Sequence, residues 1–151
     1  MDAEVGRDPL AKAAASGGAS GYLNINLGAL ARNYRKLAEM VRPAQAAAVV
    51  KADAYGLGAR EVSTVLYDQG CRHFFVALFC EALELRPFLP ADASIFVLNG
   101  LQPGNEAICA REGIVPVINS LEQWQAWSST ARALGRTLPA ILQFDTGMSR
   151  L

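Results

Sequence analysis

The sequence predicts an α/β architecture built on parallel strands, and two observations carry that reading. Apolar, partly β-branched runs of strand length recur along the chain: "AAAVV", "HFFVAL", "SIFVL", "IVPVI" and "LPAILQF". Between them lie segments whose apolar residues fall at helical steps of three and four. Strand runs that are apolar throughout, separated by helices, imply parallel strands covered on both faces and joined by right-handed crossovers. Five strands and four intervening helices follow between Ala46 and Leu151, with a repeat of about 20 to 28 residues. Five strands do not close an eight-stranded barrel, which takes about 250 residues. The sheet is therefore either a small open one or part of a larger barrel. "LQFDTGMSRL" stops after a polar, glycine-containing loop where another helix is due, which favours part of a barrel cut short.

The elements can be justified in order. Residues 1–20 combine early acidic residues with Ala, Gly and Ser and lack a hydrophobic signal region, so they read as a flexible leader, with the folded part over 21–151. "GYLNINL" predicts a short strand. "LGALARNYRKLAEMV" predicts a helix whose apolar face is Leu27, Leu30, Tyr34, Leu37 and Val41, ended by Pro43. After the first buried strand, Val62, Val65, Leu66 and Gln69 mark one side of a helix. Leu121, Trp124, Trp127, Ala131 and Leu134 mark one side of the last, which opens on Ser120 and Gln123 at capping-box spacing.

Composition limits the function classes. The 151 residues are 52% hydrophobic and 19% charged, enough for one domain with a buried core. Fourteen basic and fourteen acidic side chains cancel, and no basic cluster with interleaved aromatics occurs, so neither nucleic acid nor an anionic membrane is a predicted partner. No run reaches the roughly 18 apolar residues of a membrane span. Cys71, Cys80 and Cys109 are odd in number and widely spaced, which fits a reducing cytoplasm and argues against a disulfide framework or a zinc site; no metal is expected. A small-molecule ligand is the remaining expectation.

The stretch "AAAVVKADAYGLGA" carries the chemistry. Lys51 ends the first apolar strand of the series, at the edge where parallel α/β proteins build their sites. A lysine there is commonly salt-bridged or snorkelling. Near apolar walls, however, its amine loses proton affinity and becomes a nucleophile towards an aldehyde. Gly56 and Gly58 let the backbone approach a ligand, and Tyr55 offers a hydroxyl donor suited to a phosphate oxygen. An aldehyde bearing a phosphate is pyridoxal phosphate, a cofactor that the spacing alone does not establish.

"VVKADAYGLGA" resembles the pyridoxal phosphate attachment motif of bacterial alanine racemases, and "FDTGMSRL" resembles the second signature of that family. "GYLNINLGALARNYRKL", "FVALFCEALELR" and "VPVINSLEQWQAW" are similar to the segments around and between them, so the resemblance covers about residues 20–151. It implies a fold-type III enzyme. Such an enzyme has an N-terminal (β/α)8 TIM-type barrel, of which this chain holds about five strands before the C-terminal β domain. It also implies a cytoplasmic homodimer that interconverts L- and D-alanine for peptidoglycan and the cell wall.

The resemblance assigns roles residue by residue. Lys51 matches the lysine that forms the imine with the cofactor and then acts as the proton-transfer base for the D-enantiomer. Tyr55 matches the tyrosine at the cofactor phosphate. Arg150 matches the arginine beside the cofactor's phenolic oxygen and the substrate carboxylate, a place suited to a permanently charged, forked donor. The second base is a tyrosine of the other subunit's C-terminal domain, and no position here matches it. The isolated chain is therefore expected to be inactive, holding only the lysine half of the site. Other readings are a broader amino-acid racemase, a non-catalytic pyridoxal phosphate-binding barrel, and an inactive truncated product prone to association.

Two positions depart from the family pattern: Gln143 stands where a carbamylated lysine is common, and Leu57 where histidine is frequent. His73, Glu81 and Glu84, Trp124 and Trp127 read as structural, the glutamates as a solvated helix face. Asp53 and Asp145 fall in loops at the predicted catalytic edge, Asp145 as a residue that orients its turn.

Overall fold

The structure, a computed structural model, describes residue 21 and residues 23–149, so the predicted leader and Arg150 lie outside the described residues. Helix α1 (Leu27–Met40) comes first, capped by Asn26, whose side-chain oxygen accepts from Ala29 N at 2.8 Å. Tyr34, the buried residue of α1, donates its hydroxyl to Ala46 O at 2.9 Å and ties the helix to the segment that leads into the first strand. The buried side is Leu27, Leu30, Tyr34 and Ala38, whereas Leu37 and Val41 of the predicted face are exposed. The predicted strand over "GYLNINL" does not form among the described residues, where Leu23–Asn26 has no sheet partner and Leu23 is exposed. An alternating pattern makes a strand only where a neighbouring edge completes its ladder.

Five strands follow: β1 (Ala48–Val49), β2 (His73–Val76), β3 (Ser94–Val97), β4 (Val115–Ile118) and β5 (Ile141–Leu142). They lie in sequential order and all pair in parallel, as expected from the five apolar runs. Between them run α2 (Ala59–Asp68), α3 (Phe79–Leu85) with a 3-10 turn at Arg86–Phe88, α4 (Glu106–Arg111) and α5 (Leu121–Ala133). Right-handed crossovers that always step to the next strand in one direction place their helices on one side of the sheet. No reversal of strand order occurs among the described residues, so their sheet is not doubly wound.

That asymmetry corrects the expectation of two covered faces. Phe74, Val76, Ile95 and Val97 are buried in one cluster with Leu66, Ala82, Leu85 and Cys109. The alternate residues differ: Val49 is 47% exposed, and Phe75 and Phe96 are half-buried, stacked on each other at 4.7 Å. A helix-clad outer face and an apolar, half-open inner face are the two sides of a barrel wall. Only β4 is buried on both faces.

The N-terminal edge of the sheet is built for cohesion. Arg72 pairs with Asp92 at 2.9 Å, lies 4.0 Å over the Tyr67 ring and donates to Tyr67 O and Cys71 O, while Tyr67 donates to Asp92 at 2.6 Å. That Tyr67 hydrogen bond, helped by Arg72, holds the Asp92 carboxyl below its ordinary value. Arg86 donates to the carbonyls of Leu89, Pro90 and Ala93, fastening the 3-10 turn under β3. His73, at the start of β2 on this same edge, stacks on Phe96 and is structural, as its isolation in the sequence suggested.

The unusual element is the single turn Lys51–Gly56 between β1 and α2. Ala52, Asp53, Ala54 and Tyr55 have φ of 51°, 53°, 52° and 57° with ψ of 37–50°, a left-handed turn made without glycine. L-residues there carry a penalty of roughly 1–2 kcal/mol each because Cβ crowds the carbonyl. Hydrogen bonds close it: Ala54 N to Val50 O at 2.9 Å, Gly58 N to Asp53 O at 2.9 Å, and Ala59 N to the Asp53 carboxylate at 2.7 Å. Asp53 thereby caps α2 from within the turn. Gly58, at φ 91°, allows the chain to leave it, since a Cβ there would meet the Glu61 carboxylate at 2.8 Å.

Replacing the exposed Ala52 by Gly is expected to leave stability unchanged or raise it by up to about 1 kcal/mol, whereas Ala52→Val lowers it by about 1–3 kcal/mol. Urea unfolding of the two variants checks this, and equal effects would mean that the turn is not left-handed in solution. The cysteines give a second test. Burial, with Glu106 as a lesser contributor, pushes the Cys109 thiol up to about 12, and Cys71 is equally buried while Cys80 is exposed. At pH 8 a maleimide should modify Cys80 alone in the native protein and all three residues in denaturant.

Candidate active site

Parallel strands bring their C-terminal ends to one edge, and the residues that follow β1 to β5 meet there: Lys51, Ala77–Leu78, Asn99–Gly100, Asn119–Ser120 and Gln143–Asp145. Lys51 is half-buried, in phase with Val49 on the alternation of β1. Its Nζ lies 6.0 Å from the centre of the Tyr55 ring, the two residues standing four apart on one turn. No carboxylate pairs with Lys51 among the described residues, and the 64% exposed Tyr55 keeps its hydroxyl without an internal partner there.

Glu81 is the residue that sequence reasoning misplaced. It was expected on a solvated helix face, yet its carboxylate receives three backbone N–H groups. Oε2 accepts from Ala77 N at 2.7 Å and Leu78 N at 2.8 Å, and Oε1 accepts from Ala52 N at 2.6 Å. The Leu78 bond is half of a capping box on α3, the other half being impossible because Leu78 has no side-chain acceptor. An acidic residue at the third position of a helix was the available signal for that role. The bond to Ala52, 29 residues back in the chain, had no signal at all. Glu84, three residues further along α3, is exposed as expected.

At the ends of β3 and β4 a second polar link forms. Ser120 accepts from Gln123 N at 3.3 Å as predicted, but the Gln123 side chain turns to Asn119 N at 2.9 Å and Asn99 O at 3.3 Å instead of closing the box. Gly100, at φ 69°, makes room for it: a Cβ there would lie 2.3 Å from the Gln123 amide oxygen. Asn119 donates to Leu98 O at 2.9 Å, and its own Oδ1 is buried without a donor among the described residues. Gln143 donates its backbone N–H to Ile118 O, which continues the β4–β5 ladder. Asp145 accepts from Gly147 N and Ser149 N and organises its turn, the role expected of it. Of the predicted tryptophans only Trp127 is in the core, with its indole donating to Pro139 O. Trp124 is 47% exposed in an open groove with Leu121, Leu142 and Phe144.

This edge therefore presents one amine without a counter-ion and one phenolic donor, on a turn closed by its own backbone. That donor set fits an electrophilic carbonyl joined to an anionic group.

Comparison with known proteins gives the same direction. Residues 25–151 match the family model described as alanine racemase, N-terminal domain. The catabolic alanine racemase of Rhizobium johnstonii is 64% identical over all 151 residues of this chain, which span 40% of that protein. The alanine racemase of Brucella ovis is 61% identical over 133 residues, 88% of this chain and 34% of its own length. Among solved structures, alanine racemase from Bartonella henselae with covalently bound pyridoxal phosphate superposes with a TM-score of 0.82 at 45% identity, over 84% of this chain and 37% of that one. The histidine racemase of Leuconostoc mesenteroides superposes with a TM-score of 0.74 at 27% identity, over 83% of this chain and 33% of that one. The chain thus spans well under half the length of the relatives it matches, and within that span the family model, the strand order and the lysine motif agree: it belongs to the alanine racemase family, through that family's N-terminal barrel domain.

Proposed function

We propose that this chain forms the lysine-bearing part of a pyridoxal phosphate-dependent racemase that interconverts L- and D-alanine. The observation that carries the reading is Lys51: a half-buried amine at the C-terminal end of β1, unpaired among the described residues, with the Tyr55 phenol on the same turn. When bound, the cofactor supplies an electron sink that lowers the barrel-bound amino acid's resistance to losing its Cα proton.

The rest falls to the protein. Lys51 Nζ would hold the cofactor through its aldehyde carbon and, once a substrate amine has taken that place, would take or return the Cα proton on one face. Release leaves the amine tethered by its own side chain beside the atom it serves, which is why one lysine suits both tasks. Tyr55 donates to the phosphate. Arg150, outside the described residues, is proposed as the forked donor to the phenolic oxygen and the substrate carboxylate. The opposite face needs a second base, which the family takes from the other subunit, so activity is assigned to a homodimer that includes residues beyond this chain's span.

Cellular role is a separate question from chemistry. No helix among the described residues is long and apolar enough to cross a membrane. A cytoplasmic enzyme is proposed. Supply of D-alanine for peptidoglycan is the family expectation, but the relatives matched over the whole chain, from Rhizobium johnstonii and Agrobacterium fabrum, are named catabolic alanine racemases. That favours alanine breakdown as the use of the same reversible reaction. The histidine racemase neighbour supports a broader amino-acid racemase as the second reading.

Pyridoxal phosphate added to the protein expressed from the full-length reading frame should produce a visible imine band. Borohydride reduction and peptide mapping should place the label on Lys51. Lys51→Ala is expected to lose the band and at least about 10³-fold of alanine racemisation, and Tyr55→Phe to keep the band while weakening cofactor binding about 10- to 100-fold. A label on another lysine would overturn the assignment. Comparable turnover of histidine or serine and alanine would favour the broader racemase.

A further inference from the structure

We infer that Glu81 is a positioning residue for Lys51: its carboxylate holds the peptide that follows the lysine, and so sets where the amine stands. The inference rests on the reading of Lys51 as the cofactor lysine and adds a residue to it.

The geometry is specific. The N–H of Ala52 belongs to the Lys51–Ala52 peptide, which is planar, so fixing that N–H fixes the plane from which the Lys51 side chain departs. It donates to Glu81 Oε1 at 2.6 Å. The same carboxylate is anchored through Oε2 to Ala77 N and Leu78 N, the first residues beyond β2. β2 is the strand paired with β1. Glu81 therefore locks the exit of β1 to the exit of its neighbour, at the residue where the chain enters its left-handed turn. The internal bonds of that turn involve Asp53, Ala54, Leu57 and Gly58, and the Ala52 N–H is satisfied only through Glu81 among the described residues.

The chemistry also demands a carboxylate. Three N–H donors converge on two oxygens, and an ionised carboxylate is acceptor-only on both sides. Glutamine keeps the length but has one oxygen, so its NH2 must face either Ala52 N–H or the Ala77–Leu78 pair. Aspartate keeps the charge on a shorter stem.

The test compares two ligands on the protein from the full-length reading frame after its bound cofactor has been removed. Pyridoxal phosphate binds through imine formation, and 4'-deoxypyridoxine phosphate, which lacks the aldehyde, binds without it. Glu81→Gln is expected to weaken the first by about tenfold or more, as loss of a hydrogen bond to a charged group does, while changing the second by less than about threefold. Glu84→Gln, three residues further along the same helix and exposed, should change neither. Equal weakening of both ligands, or no change in either, would overturn the positioning role while leaving Lys51 intact. Should Glu81→Gln not fold, Glu81→Asp is read by the same ratio, and hydrogen exchange of the wild-type Ala52 amide gives an independent readout. Protection of that amide supports the link, and exchange at the rate of a free peptide refutes it. A wild-type protein that forms no adduct at Lys51 would overturn both readings, an outcome distinct from an adduct that Glu81→Gln leaves unaltered.

Discussion

Four consecutive non-glycine residues held at positive φ, directly after the lysine, set the terms for the rest of this structure. The left-handed turn sets the direction in which the chain leaves β1 for α2, and within it the Lys51 amine lies 6.0 Å from the centre of the Tyr55 ring. Such a conformation persists only where the surroundings over-determine it. Here they do so from three sides: Val50 and Asp53 within the segment, the cap that Asp53 places on α2, and the Glu81 carboxylate from beyond β2. Ala54, 3% exposed, is the side chain the turn commits to the core, and only a small residue suits a turn packed that closely.

The two edges of the sheet divide their tasks. On the N-terminal edge the charged groups are consumed: Arg72 by Asp92 and Tyr67, Arg86 by three carbonyls. On the C-terminal edge Lys51 and Tyr55 are left without such partners among the described residues, and Glu81, Gln123 and Asp145 spend their polar atoms on backbone groups. Conserving acceptors for the backbone and leaving one cation unpaired is what an amine site requires, because a carboxylate beside Lys51 would compete with its electrophile. The half-open inner face, with Phe75 stacked on Phe96, then forms the apolar side of the same edge.

Much of this was legible in the sequence, for identifiable reasons. The five strands were visible because one face is buried under helices and the inner face also carries apolar side chains such as Val49, Phe75 and Phe96, which leaves long apolar runs. Ser120, Asp145, His73 and the buried Cys71 and Cys109 were readable because each acts within a few residues of itself or simply fills space. The readings that failed had another cause. The strand over "GYLNINL" needed a partner, the outer ends of α1 and α5 needed a neighbour to bury Leu37, Val41, Leu121 and Leu134, and Glu81 needed a donor 29 residues away.

By itself, then, the sequence determined the five strands of the sheet from Ala46 onward, the parallel α/β class, the lysine motif at a strand end and, through the likeness of its motifs, the family, since these depend on periodicity and on contiguous residues. Tertiary structure alone decided that the helices share one side of the sheet, that the motif turns left-handed, and that Glu81 reaches back to Ala52. Those outcomes arise from contacts between distant segments, where hydrogen-bond geometry and the hand of the crossovers act and residue spacing carries no information.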